Sequence, residues 1–152
     1  MRRISVVALS MILMMCILTG CQSREKIQLD FTASDVSNIE LYHFNVPAQA
    51  EMKLVTDSND IDKIIRTLKD INVKKNSNSS AKAGSTTLSF RFNLYDGTKF
   101  EIIFTSFGVK DGMIRSSYAF DYLTTSDVDA IWGQYDYELE QAIENQLPVY
   151  EQ

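Results

Sequence analysis

The sequence predicts an α+β domain, an antiparallel sheet of five or six strands in the order β-β-β-α-β-β-β-α with two helices covering one face. Three observations predict it. Leu88, Phe90, Phe92 and Leu94 alternate with polar residues, and after Asp96-Gly97 the alternation resumes at Phe100, Ile102 and Phe104, the period of half-buried strands. Ile61, Ile64, Ile65, Leu68 and Ile71 fall instead on one stripe of a helix, and Val128, Ile131, Trp132, Tyr135 and Leu139 form a second such stripe. The chain has 152 residues, enough for a single domain with a real hydrophobic core.

The first element is not part of that domain. Met1-Arg2-Arg3 is a basic start, Ile4 to Leu18 is almost continuously apolar, and Leu18-Thr19-Gly20-Cys21 closes the run on a cysteine before polar Gln22-Ser23-Arg24-Glu25-Lys26. The apolar run, about 15 residues, falls short of the roughly 20 that a bilayer span needs. This stretch resembles a bacterial lipoprotein signal peptide, and over residues 1–21 the chain is similar to small lipoproteins of Gram-positive bacteria. The resemblance implies cleavage between Gly20 and Cys21 and a lipid on Cys21, which would carry acyl groups such as palmitate. It also implies a location on the extracytoplasmic face of the cell membrane. Residues 1–20 are then a signal peptide, 21–26 a short tether, 27–147 the domain and 148–152 a tail.

Two exclusions follow from that reading. Cys16 would leave with the signal and Cys21 would be alkylated, so no thiol remains for a disulfide or for cysteine chemistry. Arg2 and Arg3 would leave as well, so 15 basic residues become 13 against 20 acidic ones, a net charge of −7. An acidic body disfavours nucleic acid and flat adsorption on anionic lipid, so the membrane contact is expected through the lipid on Cys21 alone.

Within the domain, Ile27-Gln28-Leu29-Asp30-Phe31 alternates like a strand, as do Asn38 to Phe44 and Glu51 to Val55, with a loop at Asn45-Val46-Pro47-Ala48. Thr56 or Asp57 caps the first helix, where Asp60 and Asp62 suit the positive end of the helix dipole. Lys74 to Ser85 is polar and reads as a solvated loop. Between the next two strands, a three-residue loop Tyr95-Asp96-Gly97 closes Leu94 on Thr98. It sets Phe92 opposite Phe100, Phe90 opposite Ile102 and Arg91 opposite Glu101, whereas a two-residue Asp-Gly turn would mix apolar and charged residues on one face. The same reasoning at Lys110-Asp111-Gly112 sets Phe104 opposite Tyr118, Ile102 opposite Phe120 and Phe100 opposite Tyr122. The second helix begins near Thr125-Ser126-Asp127, and Gly133 inside it costs about 1 kcal/mol relative to alanine, inviting a kink.

Few residues point to chemistry. His43 is the only histidine and falls in a predicted strand, where it reads as an edge or core residue rather than a ligand or catalytic base, and no histidine cluster exists for a metal. Asp57-Ser58-Asn59-Asp60-Ile61-Asp62 lacks the glycine and the distal glutamate of a calcium loop, and helix capping accounts for it better. Among the 20 acidic residues, Glu101 and Asp121 fall opposite each other beside Arg91, a carboxylate pair open to a hydrolase reading, although carboxylates flanking an arginine read rather as a surface charge cluster.

Ile103, Phe107, Val109 and Met113 point away from the aromatic face, so they are either covered by another segment or form a protein-interaction patch. The expected function is therefore a non-catalytic protein-binding domain of accessory, sensor or inhibitor type with an envelope protein as partner. A small-ligand or envelope-polymer binder using Tyr118 and Tyr122 in an aromatic cleft is the alternative, and a hydrolase comes third. No catalytic residue, cofactor, metal or nucleic-acid partner is expected.

Overall fold

Residues 25–75, 85–116 and 121–148 are described in the structure, a computed structural model. Among them the strands are β1 (Glu25–Lys26), β2 (Val36–Phe44), β3 (Glu51–Val55), β4 (Asn72–Lys75) and β5 (Thr86–Leu94). They continue with β6 (Lys99–Gly108), β7 (Asp111–Ser116), β8 (Asp121–Thr124) and β9 (Glu140–Gln141). All nine join one sheet in the order β1-β4-β8-β7-β6-β5-β2-β3-β9, with every neighbouring pair antiparallel. One α-helix, α1 (Ser58–Asp70), lies between β3 and β4. The fold is mostly β, which corrects the expected α+β arrangement of five or six strands and two helices.

The helix forms where the stripe predicted it. The Asp57 carboxylate accepts from the backbone N–H groups of Asn59 (2.9 Å) and Asp60 (3.1 Å), satisfying donors that the first turn leaves open. Ile61, Ile64, Ile65 and Leu68 are buried and face the sheet's inner surface, where Ile39, Leu41, Phe90, Phe92 and Ile102 are fully buried. Each such aliphatic side chain, taken from water, contributes about 1.5–3 kcal/mol, which is how a helix of this length persists.

The second helix is not α-helical. Asp129–Gln134 is a six-residue 3-10 segment, and the chain then runs extended into β9. Val128, Ile131 and Tyr135 are buried, so the stripe was real, but Leu139 is exposed and the pattern ends after about two turns. Gly133 weakens a longer helix, and Lys53 supplies the alternative. Its ammonium donates to the carbonyls of Trp132 (3.0 Å) and Tyr135 (2.8 Å), which a continuing helix would have bonded itself.

Three other expectations change. Residues 27–31 do alternate, with Ile27, Leu29 and Phe31 buried, yet they form no strand and lie across the core. The Phe31 ring sits 5.2 Å from Phe92 and 5.3 Å from Phe100. Alternation there reports one-sided burial without ladder hydrogen bonds. Glu25 and Lys26, expected in a polar tether, pair with Val73 and Asn72. Finally, Asn72–Lys75 forms β4, where the loop had been expected to start at Lys74.

The hairpin of β5 and β6 has the expected register. Phe92 faces Phe100, Phe90 faces Ile102 and Arg91 faces Glu101, and Gly97 holds a left-handed φ of 86° in the turn. The hairpin of β6 and β7 does not. Val109-Lys110 is a two-residue turn with Lys110 at φ 56°, so Phe104 faces Ile114 rather than Tyr118. The expected partners Tyr118 and Phe120 lie outside the described residues, and Tyr122 pairs with Ile114 instead of Phe100. Gly112, read as a turn residue, sits inside β7, where an added Cβ would fall 2.3 Å from Phe104 Cε2 and 2.8 Å from the Thr105 carbonyl. It is glycine because strand and ring approach that closely.

The back of the sheet carries a smaller apolar cluster of Tyr42, Ala50, Ala142 and Leu147, with Phe44 and Met52 packed on it. The C-terminal stretch thus crosses the face opposite α1. Two glycines give contrasting predictions. Gly112→Ala is expected to lower unfolding free energy by about 2 kcal/mol through overpacking. Gly133→Ala, with open space around its Cβ position, is expected to be neutral or stabilising by up to about 1 kcal/mol. Urea unfolding followed by the fluorescence of Trp132, the only tryptophan, checks both.

Candidate functional site

The register of β4, β8 and β7 builds one side of a cleft. Lys75 pairs with Tyr122 and Tyr122 pairs with Ile114, so the three side chains stand in one row on the inner face. Residues 25–30 pass beside this row and close a cleft of ≈ 480 Å³. Ile27, Gln28, Ile114, Ser116 and Tyr122 supply apolar and neutral polar walls, and among the described residues the charged lining groups are Glu25, Lys26, Asp30 and Lys75. Tyr122 also packs against the main core, so one edge of its ring is fixed while another lines the cleft. The Lys26 ammonium is held by the Asp70 main-chain carbonyl and lies 3.8 Å from the Asp70 carboxylate. Such a volume falls within the range of small-ligand sites, about 300–1,000 Å³.

On the back face, one row across β2, β5 and β6 places Arg91 between Glu40 and Glu101. Its Nε donates to Glu101 (2.6 Å), and its Nη1 donates to Glu40 (2.9 Å) and to the Tyr42 hydroxyl (3.0 Å). The Tyr42 hydroxyl in turn donates to Glu40, and the Asn93 amide donates to Glu40 (2.8 Å) and Asn38 (2.7 Å). Burial pushes the Glu40 carboxyl up, but hydrogen bonds from Tyr42, Asn93 and Arg91 outweigh it and hold the group below its ordinary value. Burial, reinforced by the neighbouring Glu40, pushes the Tyr42 phenol far above its ordinary value. These groups satisfy one another, which describes a charge network that fixes strand register and the seat of the C-terminal stretch.

The expected Glu101–Asp121 pair does not form. The register shift in β7 sends Asp121 to Arg115, which donates from Nε (2.6 Å) and Nη2 (3.2 Å), while Glu101 stays on Arg91. A third cluster surrounds Trp132. The His43 ring stacks on it with centroids 5.1 Å apart, the Lys53 ammonium lies 4.4 Å from the ring centre, and His43 Nε2 is 3.3 Å from Asp129 Oδ1. Together with the Lys53–carbonyl bonds, this clasps the 3-10 segment to β2 and β3. Among the described residues, no group of three or more His, Cys, Asp or Glu is placed to hold a metal.

The four apolar residues singled out in the sequence separate by environment. Val109 is 89% exposed at its turn, Ile103 and Phe107 are half-buried, and Met113 is 2% exposed although it belongs to neither apolar cluster. Leu123, which pairs with Met113, adds a half-buried neighbour that sequence reasoning did not include. Gly20 and Cys21 lie outside the described residues, as does Tyr118. Of the cleft's lining, only Tyr122 had been singled out as a ligand contact. Lys75 was hidden because β4 was read as loop, and Ile114 because the register was four residues out.

The Arg91 network sets a pH dependence. Glu40, held below its unfolded value of about 4.3, contributes stability that is complete above that pH. The contribution is lost as pH falls through the lower folded value. Urea unfolding from pH 6 to pH 3 is expected to show a steeper loss in the natural chain than in Glu40→Gln. Arg91→Met, which removes the cation that Glu40 and Glu101 share, is expected to cost about 3 kcal/mol at neutral pH. Comparison with known proteins found no matching protein family, no similar curated protein and no similar solved structure.

Proposed function

We propose that this chain is a lipid-anchored protein of the extracytoplasmic membrane face that works by binding, with the cleft of Tyr122 as its site. The leader and Cys21 supply the anchor in this reading. Among the described residues, no helix is long and apolar enough to cross a membrane. The observation that carries the choice of site is the row Lys75–Tyr122–Ile114, bordered by the stretch that begins four residues after Cys21. A concave wall with an aromatic ring and mixed polar groups suits a small or polymeric ligand better than a flat protein surface.

A second reading, binding of an envelope protein at the β6–β7 hairpin tip, has one observation in its favour, the exposure of Val109. Its other members, Met113 above all, are less available to a partner.

Two experiments in intact cells test these readings. Cys21→Ala is expected to abolish incorporation of labelled fatty acid and to move the protein out of the membrane fraction; unchanged labelling would sink the anchor. A photo-crosslinking residue at position 28 is expected to capture a non-protein ligand, whereas a single protein adduct from position 109 alone would transfer the function to the hairpin tip.

A further inference from the structure

We infer that His43 makes the seat of the C-terminal stretch sensitive to pH, clasping the 3-10 segment Asp129–Gln134 more tightly in mild acid than in mild alkali. His43 is the only histidine of the chain, and imidazole is the side chain whose charge ordinarily changes between about pH 5 and 8. Its Nε2 lies 3.3 Å from Asp129 Oδ1, an oxygen that is shielded from solvent and accepts no hydrogen bond among the described residues. The same imidazole stacks on Trp132, so one ring touches the segment at two points.

The proton decides what Nε2 can offer. A neutral imidazole carries one N–H. With that hydrogen on Nδ1, Nε2 turns a lone pair toward the carboxylate; with it on Nε2, the donor is uncharged. The imidazolium has an N–H on both nitrogens and gives Asp129 a charge-assisted donor, about twice as strong as a neutral one. Protonation therefore strengthens this contact whichever tautomer it starts from. The other neighbours of His43 follow from register. On β3 its pair partner is the exposed Glu51, and on β5 it is the uncharged Leu88. Lys53, two residues along β3 from Glu51, directs its ammonium to the Trp132 and Tyr135 carbonyls.

The clasp matters because the chain beyond it has few holds. After Tyr135 it runs extended to β9, which is two residues long, and the Ala142 N–H then donates to the Ala50 carbonyl (2.8 Å). Asn145 and Gln146 border a hollow on the back face together with Glu40, Tyr42 and Arg91. Lys53 anchors the start of this stretch through carbonyls, which do not titrate. His43 adds an anchor that acid strengthens, and the cover over the back-face charge row gains or loses a hold with it.

Hydrogen exchange of the full chain in detergent micelles, followed by mass spectrometry and corrected for intrinsic rates, tests this with α1 as internal reference. Protection of residues 129–142 relative to α1 is expected to fall about three- to fivefold from pH 5.5 to pH 8, the scale of a partly exposed ion pair. His43→Gln and Asp129→Asn are each expected to abolish the difference. Emission from Trp132 is expected to step over the same interval in the natural chain and to stay flat in His43→Gln. Equal relative protection at both pH values in the natural chain overturns the inference, and that measurement needs no variant. A difference that survives in either variant while α1 stays protected overturns it as well. Where a variant loses α1 protection, high salt on the natural chain takes its place: salt is expected to shrink the difference, and a difference that salt leaves untouched rules out the ion pair as its cause.

Discussion

The structure depends on the register of three central strands. Where β2, β5 and β6 lie side by side, Ile39–Phe92–Phe100 and Leu41–Phe90–Ile102 form rows on the inner face, and Glu40–Arg91–Glu101 forms the row between them on the back. Side chains alternate strictly along a strand, so one register fixes both sets at once. A slip of a single residue would bring two carboxylates and a guanidinium under α1 and turn the aromatic rings to the opposite surface. The apolar rows and the charge row therefore specify the same alignment, and neither can be moved without breaking the other.

The cover over the inner face is assembled from unlike pieces, each held by a different force. Helix α1 is held by its isoleucine and leucine stripe, and residues 27–31 by three alternating apolar side chains with Phe31 against the rings beneath. The 3-10 segment is held in part by Lys53, whose ammonium bonds two carbonyls under the Trp132 ring. Only the first piece is an α-helix; the 3-10 segment is six residues long, and residues 27–31 carry neither helix nor strand. The other two depend on the sheet for their shape, and that is why periodicity alone misjudged them.

This explains how much could be read from the sequence. The β5–β6 hairpin was legible down to its pairs, because only one turn length agreed with the apolar pattern. The helix stripe with its Asp57 cap was equally plain. β4 was not, since Val73 is the single apolar side chain that Asn72, Lys74 and Lys75 accompany. The β6–β7 turn was misread because Asp111-Gly112 has turn composition while Gly112 is required by the close approach of Phe104, a contact that no local pattern encodes. Those two errors together concealed the cleft, whose walls come from β4, β7, β8 and a stretch far away in sequence. A site made by register is invisible until the register is right.

The outermost strands, β1 and β9, are two residues each, and beyond β1 the next strand ends in Lys74-Lys75. A long unpaired strand edge is a template for a neighbouring copy, and short ends and lysines discourage that pairing. Under the proposed lipid anchor, which would confine the chain to a surface, that consequence is greatest. Molecules restricted to two dimensions meet far more often than the same number free in solution, and always with similar orientation. A sheet this wide could line up with its neighbours into ribbons there, and its abbreviated, charged margins favour a population of separate molecules.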